Sequence, residues 1–456
     1  MDYSATNTGL WNPIIQIFII CAVILIANIL HKKVPLIRNT MMPIAVLAGF
    51  LLLIAKSVGL VHIDTDLFEM LTYHCIAIGF IALSLRVPEG DSYKDDKVGV
   101  RSGAIIVGSY MIQGIVGLVI SITLSYTLCP GLFKACGILL PMGYGQGPGQ
   151  ANNIGSSYEG LGFAGGQAFG LALAAAGYLS ACIVGVLYMN YLVKKGKLNR
   201  IDHEEISGSV TVDTFQHKNE LPIAESLDRL SIQVALILAV YGVTYLLTWG
   251  LTSAFTAISE GLGKTLNSLL WGFNFMIGSG LAIALRALLK KLNSANVVKH
   301  QYQNNYLLSR ISGLAFDIMI VAGIASIEFD DLSGLWLPFI LMAVAGAIVT
   351  LIHLRYVCKR VYGDYYYEGL LSMYGMMTGT ISSGILLLRE IDPQLKTPAA
   401  NNLVIGSSFA ILFGIPLLVL VSLAPQSTEM TFVTLGLVII YYIFLMFIAC
   451  HRKKNK

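Results

Sequence analysis

Long apolar runs separated by short basic loops are the feature that most limits how this chain can fold. An α-helix needs roughly 20 apolar residues to cross a lipid bilayer. Six runs meet or approach that length: Ile14–Leu30, Gly103–Leu128, Gly170–Val193, Leu230–Trp249, Leu307–Ile327 and Leu335–Leu354. Only 12% of the 456 residues are charged, about half the fraction of a soluble protein. The sequence therefore predicts an all-α polytopic membrane protein.

The positions of Lys and Arg predict how the helices are oriented, because these residues collect on the cytoplasmic side of a membrane. Lys32 and Lys33 follow the first apolar run, which places the end of that run inside and the N-terminus outside. Applied along the chain, the same rule places the basic tail Arg452–Lys454 inside. We therefore expect the C-terminus to be cytoplasmic.

Two segments interrupt the apolar pattern at corresponding places, each before the fifth span of its half. The chain between Leu128 and Gly166 is predicted to leave from and return to the outer side. Tyr365–Leu388 is predicted to leave from and return to the inner side. Such backbone is tolerated at membrane depth only where it is buried in protein or lines a cavity. Since each half has five spans, the second half is inverted, which is typical of secondary transporters.

These boundaries divide the chain into four parts. Residues 1–198 form the first inverted repeat and residues 199–228 form a polar cytoplasmic loop. Residues 229–424 form the second repeat, and residues 425–456 form an extra C-terminal transmembrane helix with a basic tail. The repeat is predicted from hydropathy and element order, because no sequence identity between the halves is visible.

The first interrupted segment carries glycines at alternate positions together with neutral amides. The glycines free backbone N–H and C=O groups, and a helix that restarts after the break directs a positive dipole end into a site. The candidate binding residues are Gly145, Gln146, Gly147, Gly149, Gln150, Asn152 and Asn153. A flexible external loop is the alternative, because Gly, Pro and Asn are common in loops. The paired position in the two halves favours a binding site.

The second interrupted segment combines glycines with small hydroxyl residues in an apolar frame. Its candidate binding residues are Gly375, Thr378, Gly379, Thr380, Ser382 and Ser383. Helix packing through small residues explains this pattern equally well. We predict that the substrate site lies near the middle of the membrane, where the two interrupted segments meet.

Asp317 lies within the apolar run Leu307–Ile327. A carboxylate in lipid is costly and by default indicates an ion or proton site; a salt bridge between helices is the alternative.

His74 and His353 are single, and no Walker A motif or intramembrane cluster of catalytic residues is visible. We therefore expect no metal site, no cofactor and no enzymatic activity. A nucleic-acid partner is not expected, because the basic residues lie in loops and tails.

At these residues the chain resembles the bacterial glutamate:sodium symporter family. Gly145–Ala151 (GQGPGQA) is similar to the family's glycine-rich segment GHGTGAA, although Gln146 replaces His and Pro148 replaces Thr. Lys359–Leu370 resembles the family's approach to its second hairpin. There Glu368 replaces an acidic residue, which makes it a second candidate for ion coupling. The resemblance covers roughly residues 12 to 423.

The resemblance implies a homodimer in the bacterial inner membrane that couples Na⁺ to glutamate uptake, with a core domain that moves against a fixed scaffold. We expect a Na⁺-coupled symporter for glutamate or a related small carboxylate that works by alternating access. A proton- or sodium-coupled transporter of another small organic solute is the first alternative, and a channel is the second. Two segments that each cross half of the membrane favour alternating access over a continuous pore.

Overall fold

The computed structural model describes residues 2–4, 6–35, 42–87, 96–198, 229–258, 270–272, 274–295, 302–392 and 397–451. Every regular element in these ranges is helical. The predicted cytoplasmic loop 199–228 and the basic tail after residue 451 lie outside them.

The helices of the first half follow the predicted apolar runs. They are α1 (Thr8–Lys33), α2 (Ile44–Ser57), α3 (Thr65–Leu85), α4 (Asp96–Tyr126), α5 (Pro148–Glu159), α6 (Gly166–Ser180) and α7 (Val186–Lys194). A 3₁₀ turn (Lys134–Ile138), a short α-helical turn (Leu139–Pro141) and a π-helical turn (Met142–Gln146) precede α5. A π-helical turn (Ala181–Gly185) joins α6 to α7, so that residues 166–194 form one long helical stretch.

The second half contains eight further helices. They are α8 (Arg229–Ile258), α9 (Asn274–Ser294), α10 (Asn305–Ala325), α11 (Trp336–Val361), α12 (Tyr366–Thr378), α13 (Ile381–Arg389), α14 (Ala399–Leu423) and α15 (Thr428–Cys450). The last of these is the predicted extra C-terminal helix.

Nine helical stretches within the described ranges are long and apolar enough to cross a membrane, so the chain is a multi-pass membrane protein. Two further spans that hydropathy predicts, about Met42 to Leu60 and about Leu266 to Leu289, differ from the structure. α2 has 14 residues, about 21 Å, which is less than the roughly 30 Å of a bilayer core. Pro43 immediately precedes α2, and Gly59, with φ of 74°, follows its end. α9 carries Arg286, Lys290 and Lys291, and its predicted start at Leu266 lies outside the described residues.

The helices form two compact units that do not follow the predicted halves. The first unit contains Met1–Glu69, Lys94–His203 and Ile320–Lys456, and the second contains Met70–Tyr93 and Glu204–Met319. Each unit therefore draws on both predicted repeats, and the inverted repeat stays a prediction. Both interrupted segments lie in the first unit.

α4 is central to the first unit, because it contacts α11, α14, α15 and the helical turns that precede α5. Gly117 of α4 and Gly137 lie back to back, and a side chain on either would overlap the other's backbone. Small residues of this kind let membrane helices approach closely. α4 therefore supports the helical turns that form the first part of the first interrupted segment.

The second unit has its own apolar core, which includes Ile81, Ile237, Val240, Ala282 and Leu308. It also holds a polar cluster in which the Asn274 amide donates to the Tyr73 hydroxyl at 2.7 Å. The same amide donates to the Tyr241 hydroxyl at 3.4 Å, so Asn274 of α9 joins α3 and α8 and serves packing within the unit.

Candidate functional site

The first interrupted segment is a hairpin. The ring of Phe133, just before the segment, stacks on Phe163, just after it, with centroids 5.2 Å apart. Phe133 also lies 5.6 Å from the ring of Tyr158 near the end of α5. Because its two ends are neighbours, the chain enters and leaves on the same side of the unit, as the sequence predicted.

The tip of the first hairpin is Gly147, where the chain turns. It separates the first arm, which consists of the helical turns from Lys134 to Gln146, from the second arm, α5. Gly147 has φ of 86° and ψ of −175°, a combination that essentially only glycine adopts. Pro148 then occupies the first position of α5, where its fixed φ favours a helix and its missing N–H costs no hydrogen bond. The Gly-Pro pair thus stops one arm and starts the next.

The second interrupted segment is also a hairpin, with α12 and α13 as its arms. The arms pack closely, since a Cβ on Gly375 would lie 2.8 Å from the Cα of Gly384. The chain is non-helical at Gly379 and Thr380, where ψ is −111° and 173°. This explains the small residues of the segment in two ways: some permit the turn, and others, such as Gly375, permit packing.

The tips of both hairpins meet at Gly177 and Tyr178, near the middle of the 29-residue stretch Gly166–Lys194. A Cβ on Gly147 would lie 3.6 Å from the Tyr178 hydroxyl, and one on Gly379 would lie 3.1 Å from its ring. Gly177 itself contacts the carbonyl of Thr378 so closely that there is no room for a methyl group. The predicted meeting of the two segments therefore occurs at mid-span.

Gln113 of α4 joins the same two hairpins from another direction. Its side chain is fully buried, and its Nε2 donates to the Met377 carbonyl at 2.9 Å and to the Thr350 hydroxyl at 2.8 Å. A Cβ on Gly145 would lie 3.2 Å from its Oε1. The amide therefore sits between the first arm of one hairpin and the first arm of the other.

The direction of the arms sets the electrostatics of the tips. α5 and α13 both begin at a tip, and neither N-cap residue, Gly147 or Thr380, caps its helix with a side-chain hydrogen bond. Their first N–H groups and positive dipole ends are therefore available at the tips. The first arms end there, at Gln146 and Thr378, and bring carbonyl groups and negative dipole ends.

Several buried polar atoms at the tips have no hydrogen-bond partner among the described residues. They are both amide atoms of Gln150, the hydroxyls of Thr380 and Ser383, and Oε1 of Gln113. A buried polar group left in this state costs about 1–3 kcal/mol. Such groups in a native protein require an explanation, and a polar ligand at the tips provides one.

Other predicted site residues have partners that connect the arms or support them. Asn152 accepts a hydrogen bond of 2.8 Å from Gln167 of α6, and the Asn153 carbonyl accepts one from Ser157. The Thr378 hydroxyl donates to the Tyr374 carbonyl within α12. Gly149, Gln150 and Ser382 lie in the first turns of α5 and α13, and the side chain of Ser382 lies outside the described part. Gln146 is half-buried beside the first tip.

The two candidate ion-coupling carboxylates lie away from the tips along the chain. Glu368 is in the first turn of α12, roughly 16 Å along the helix axis from Gly379. Asp317 belongs to the second unit and is exposed on its surface. The ion-coupling roles of both carboxylates stay predictions.

Sequence reasoning missed Gln113, Thr350 and Tyr178. Gln113 carries a signal that could have identified it, because an amide in the middle of an apolar span is costly unless it has a partner or a function. Tyr178 and Thr350 carry weaker signals, since both residue types are common in membrane helices. Their roles come from contacts between elements that are distant in the sequence.

At the opposite end of the first hairpin, Glu159 accepts a hydrogen bond of 3.0 Å from the backbone N–H of Gln167. Burial raises the pKa of this carboxyl above 4.5, against the lowering effect of the hydrogen bond, and the negative charge of Asp331 raises it further. Glu159 therefore fixes the loop between α5 and α6 rather than the tip.

Two hairpins whose uncapped helix ends meet at mid-span are typical of membrane transporters. The sequence model of the sodium/glutamate symporter family matches residues 11–381, which is most of the chain. The chain therefore belongs to the sodium/glutamate symporter family, which is a family of transporters rather than of enzymes. The match ends at the first residue of α13, so that α14 and α15 lie beyond it. No curated protein matches the chain.

Proposed function

We propose that this chain is a Na⁺-coupled symporter for glutamate or a related small carboxylate, and that it works by alternating access. One observation carries the proposal. The uncapped N-termini of α5 and α13 start at two hairpin tips that both contact Tyr178. The family match supports sodium and glutamate as the transported partners.

The tips favour a carboxylate because their groups are hydrogen-bond donors and positive dipole ends. An anion at a helix N-terminus gains about 0.3–1 kcal/mol when exposed and up to about 2 kcal/mol when partly buried. Gln150 and Ser383, in the first turns of α5 and α13, add neutral donors without a competing charge. A small carboxylate fits these groups better than an organic cation does.

The hairpin topology supports alternating access. Each hairpin leads from one end of the unit to the middle of the long stretch that contains Tyr178. A ligand held between the two tips is therefore separated from each end by one hairpin, and movement of the hairpins exposes it to one side at a time. The homodimer, the inner-membrane location and the orientation of the termini remain part of the proposal.

The test is uptake of labelled glutamate into proteoliposomes with an inward Na⁺ gradient. We expect accumulation above the external concentration, which a channel cannot produce, and loss of accumulation when choline replaces Na⁺ or an ionophore dissipates the gradient. Protein-free liposomes are the control. Absence of Na⁺-dependent uptake by protein that unfolds cooperatively in detergent would refute the glutamate assignment. Aspartate and other small carboxylates, tested at several pH values, then separate a different substrate from a different coupling ion.

A further inference from the structure

Gln113 holds a carbonyl oxygen where the first arms of both hairpins end, beside Gly145 and Met377. Its Nε2 uses both hydrogens, one on the Met377 carbonyl and one on the Thr350 hydroxyl. An amide held by two hydrogen bonds cannot turn freely, so its Oε1 keeps its position beside Gly145. This oxygen has no partner among the described residues, although the side chain is fully buried.

The neighbours of this oxygen are the negative ends of helical segments. Gly145, whose Cβ position lies 3.2 Å from Oε1, is two residues before the break at Gly147. Met377, which accepts from Nε2, is two residues before the break at Gly379. Carbonyl groups at such helix ends have no partner within the helix and carry partial negative charge. Gln113 therefore contacts each hairpin at an equivalent place, two residues before its break.

A buried oxygen without a donor, beside negative helix ends, is suited to a cation. We propose that Oε1 of Gln113 is a ligand of the coupling Na⁺, together with carbonyl groups that end the first arms near Gly145 and Met377. Discontinuous membrane helices coordinate Na⁺ with such carbonyls. The carboxylate of the substrate then binds at the N-termini of α5 and α13, so that cation and anion occupy opposite helix ends. This inference rests on the proposed symport.

The amino group of a substrate is the other cation that such an oxygen could accept. Measurements without substrate separate the two, because only Na⁺ then stabilises the protein through this oxygen. The assay is thermal unfolding of the full-length protein in detergent, with Na⁺ varied at constant ionic strength by choline. A ligand that binds only the folded state raises the unfolding temperature with a midpoint set by its affinity.

We expect Gln113→Leu to raise the Na⁺ concentration for half-maximal stabilisation at least ten-fold. Gln113→Glu retains an oxygen at the site and adds a titratable charge, so its Na⁺ midpoint should fall as the pH rises. This second variant decides the question if the leucine variant does not fold. Gln233→Leu is the matched control, because Gln233 is equally buried but its Oε1 accepts from the Asn304 N–H and its Nε2 donates to the Tyr302 carbonyl. It should leave the Na⁺ midpoint unchanged.

The assignment is overturned if the Na⁺ midpoint of Gln113→Leu equals that of the unaltered protein. It is also overturned if the Na⁺ midpoint of Gln113→Glu equals that of the unaltered protein and does not change with pH. If the unaltered protein still accumulates glutamate with Na⁺ in that case, the proposed function stands and only the role of Gln113 fails. If the unaltered protein shows neither Na⁺-dependent uptake nor Na⁺-dependent stabilisation, the proposed function fails and the inference fails with it.

Discussion

Replacement of Gly147 by alanine tests whether the backbone at the first hairpin tip forms the substrate site. The residue has φ of 86° and ψ of −175°. The added methyl group has room, since the nearest atom, the Tyr178 hydroxyl, would lie 3.6 Å away. The substitution therefore adds backbone strain at the tip with almost no steric conflict.

The size of the effect follows from the strain. A non-glycine residue in this region of φ and ψ costs of order 1–3 kcal/mol. Each 1.4 kcal/mol changes an equilibrium about ten-fold. If the strained tip is the conformation that binds, the half-saturating substrate concentration should rise about 5- to 140-fold.

The measurement is the concentration dependence of glutamate uptake in proteoliposomes, together with thermal unfolding in detergent. Gly59→Ala is the matched control, because Gly59 also has a positive φ, 74°, and no atom within 4 Å of its Cβ position, but lies after the end of α2. We expect the control to lower the unfolding temperature without changing the half-saturating concentration. A Gly147→Ala protein that behaves like this control would refute the assignment of the tip as the binding site.

Two further substitutions test the supporting contacts. Gly177→Ala places a methyl group against the Thr378 carbonyl, so we expect it to lower the unfolding temperature and abolish uptake, whereas Gly242→Ala, with open space around it, should do neither. Glu159→Gln tests the raised pKa of Glu159. Since the folded protein holds this proton to a higher pH than the unfolded chain does, stability should fall as the pH rises from 4.5 to the folded pKa. The unfolding temperature of the variant should depend less on pH in that window. If it depends on pH as strongly as that of the unaltered protein, the raised pKa of Glu159 is contradicted.

The two segments that contain the hairpin breaks could be predicted from the sequence, because the information is local. Glycines and amides within apolar sequence cannot form a lipid-facing helix, and the breaks at Gly147 and Gly379 fall inside the two predicted segments. The packing role of Gly375 against Gly384 could not be separated from a binding role, since small residues serve both purposes. Only the contact between the arms distinguishes them.

The residues that join the hairpins could not be predicted from local pattern. Tyr178 becomes part of the site because two segments far apart in the sequence end against it. Gln113 reaches Met377 and Thr350, which are more than 200 positions away. α2 is also shorter than hydropathy predicts, because the apolar pattern continues to about Leu60 while the helix ends at Ser57, before the turn that contains Gly59. Hydropathy predicts where helices lie, but not which of them share a site.

The electrostatics of the tips give a physical reason for the proposed coupling. Two helix N-termini contribute roughly +0.5 charge each, and two helix C-termini contribute roughly −0.5 each. The side chains that join them, Gln113, Gln150, Tyr178 and Ser383, are neutral, so the fixed charge of the tips is close to zero. An anion alone or a cation alone would leave the tips charged, and moving a net charge through a low-dielectric region is costly. The site is close to neutral when Na⁺ and a carboxylate are bound together, and it is also close to neutral when it is empty. In the proposed mechanism, the two neutral states therefore move between the sides of the membrane while the two charged states do not, which is the condition that a symporter must satisfy.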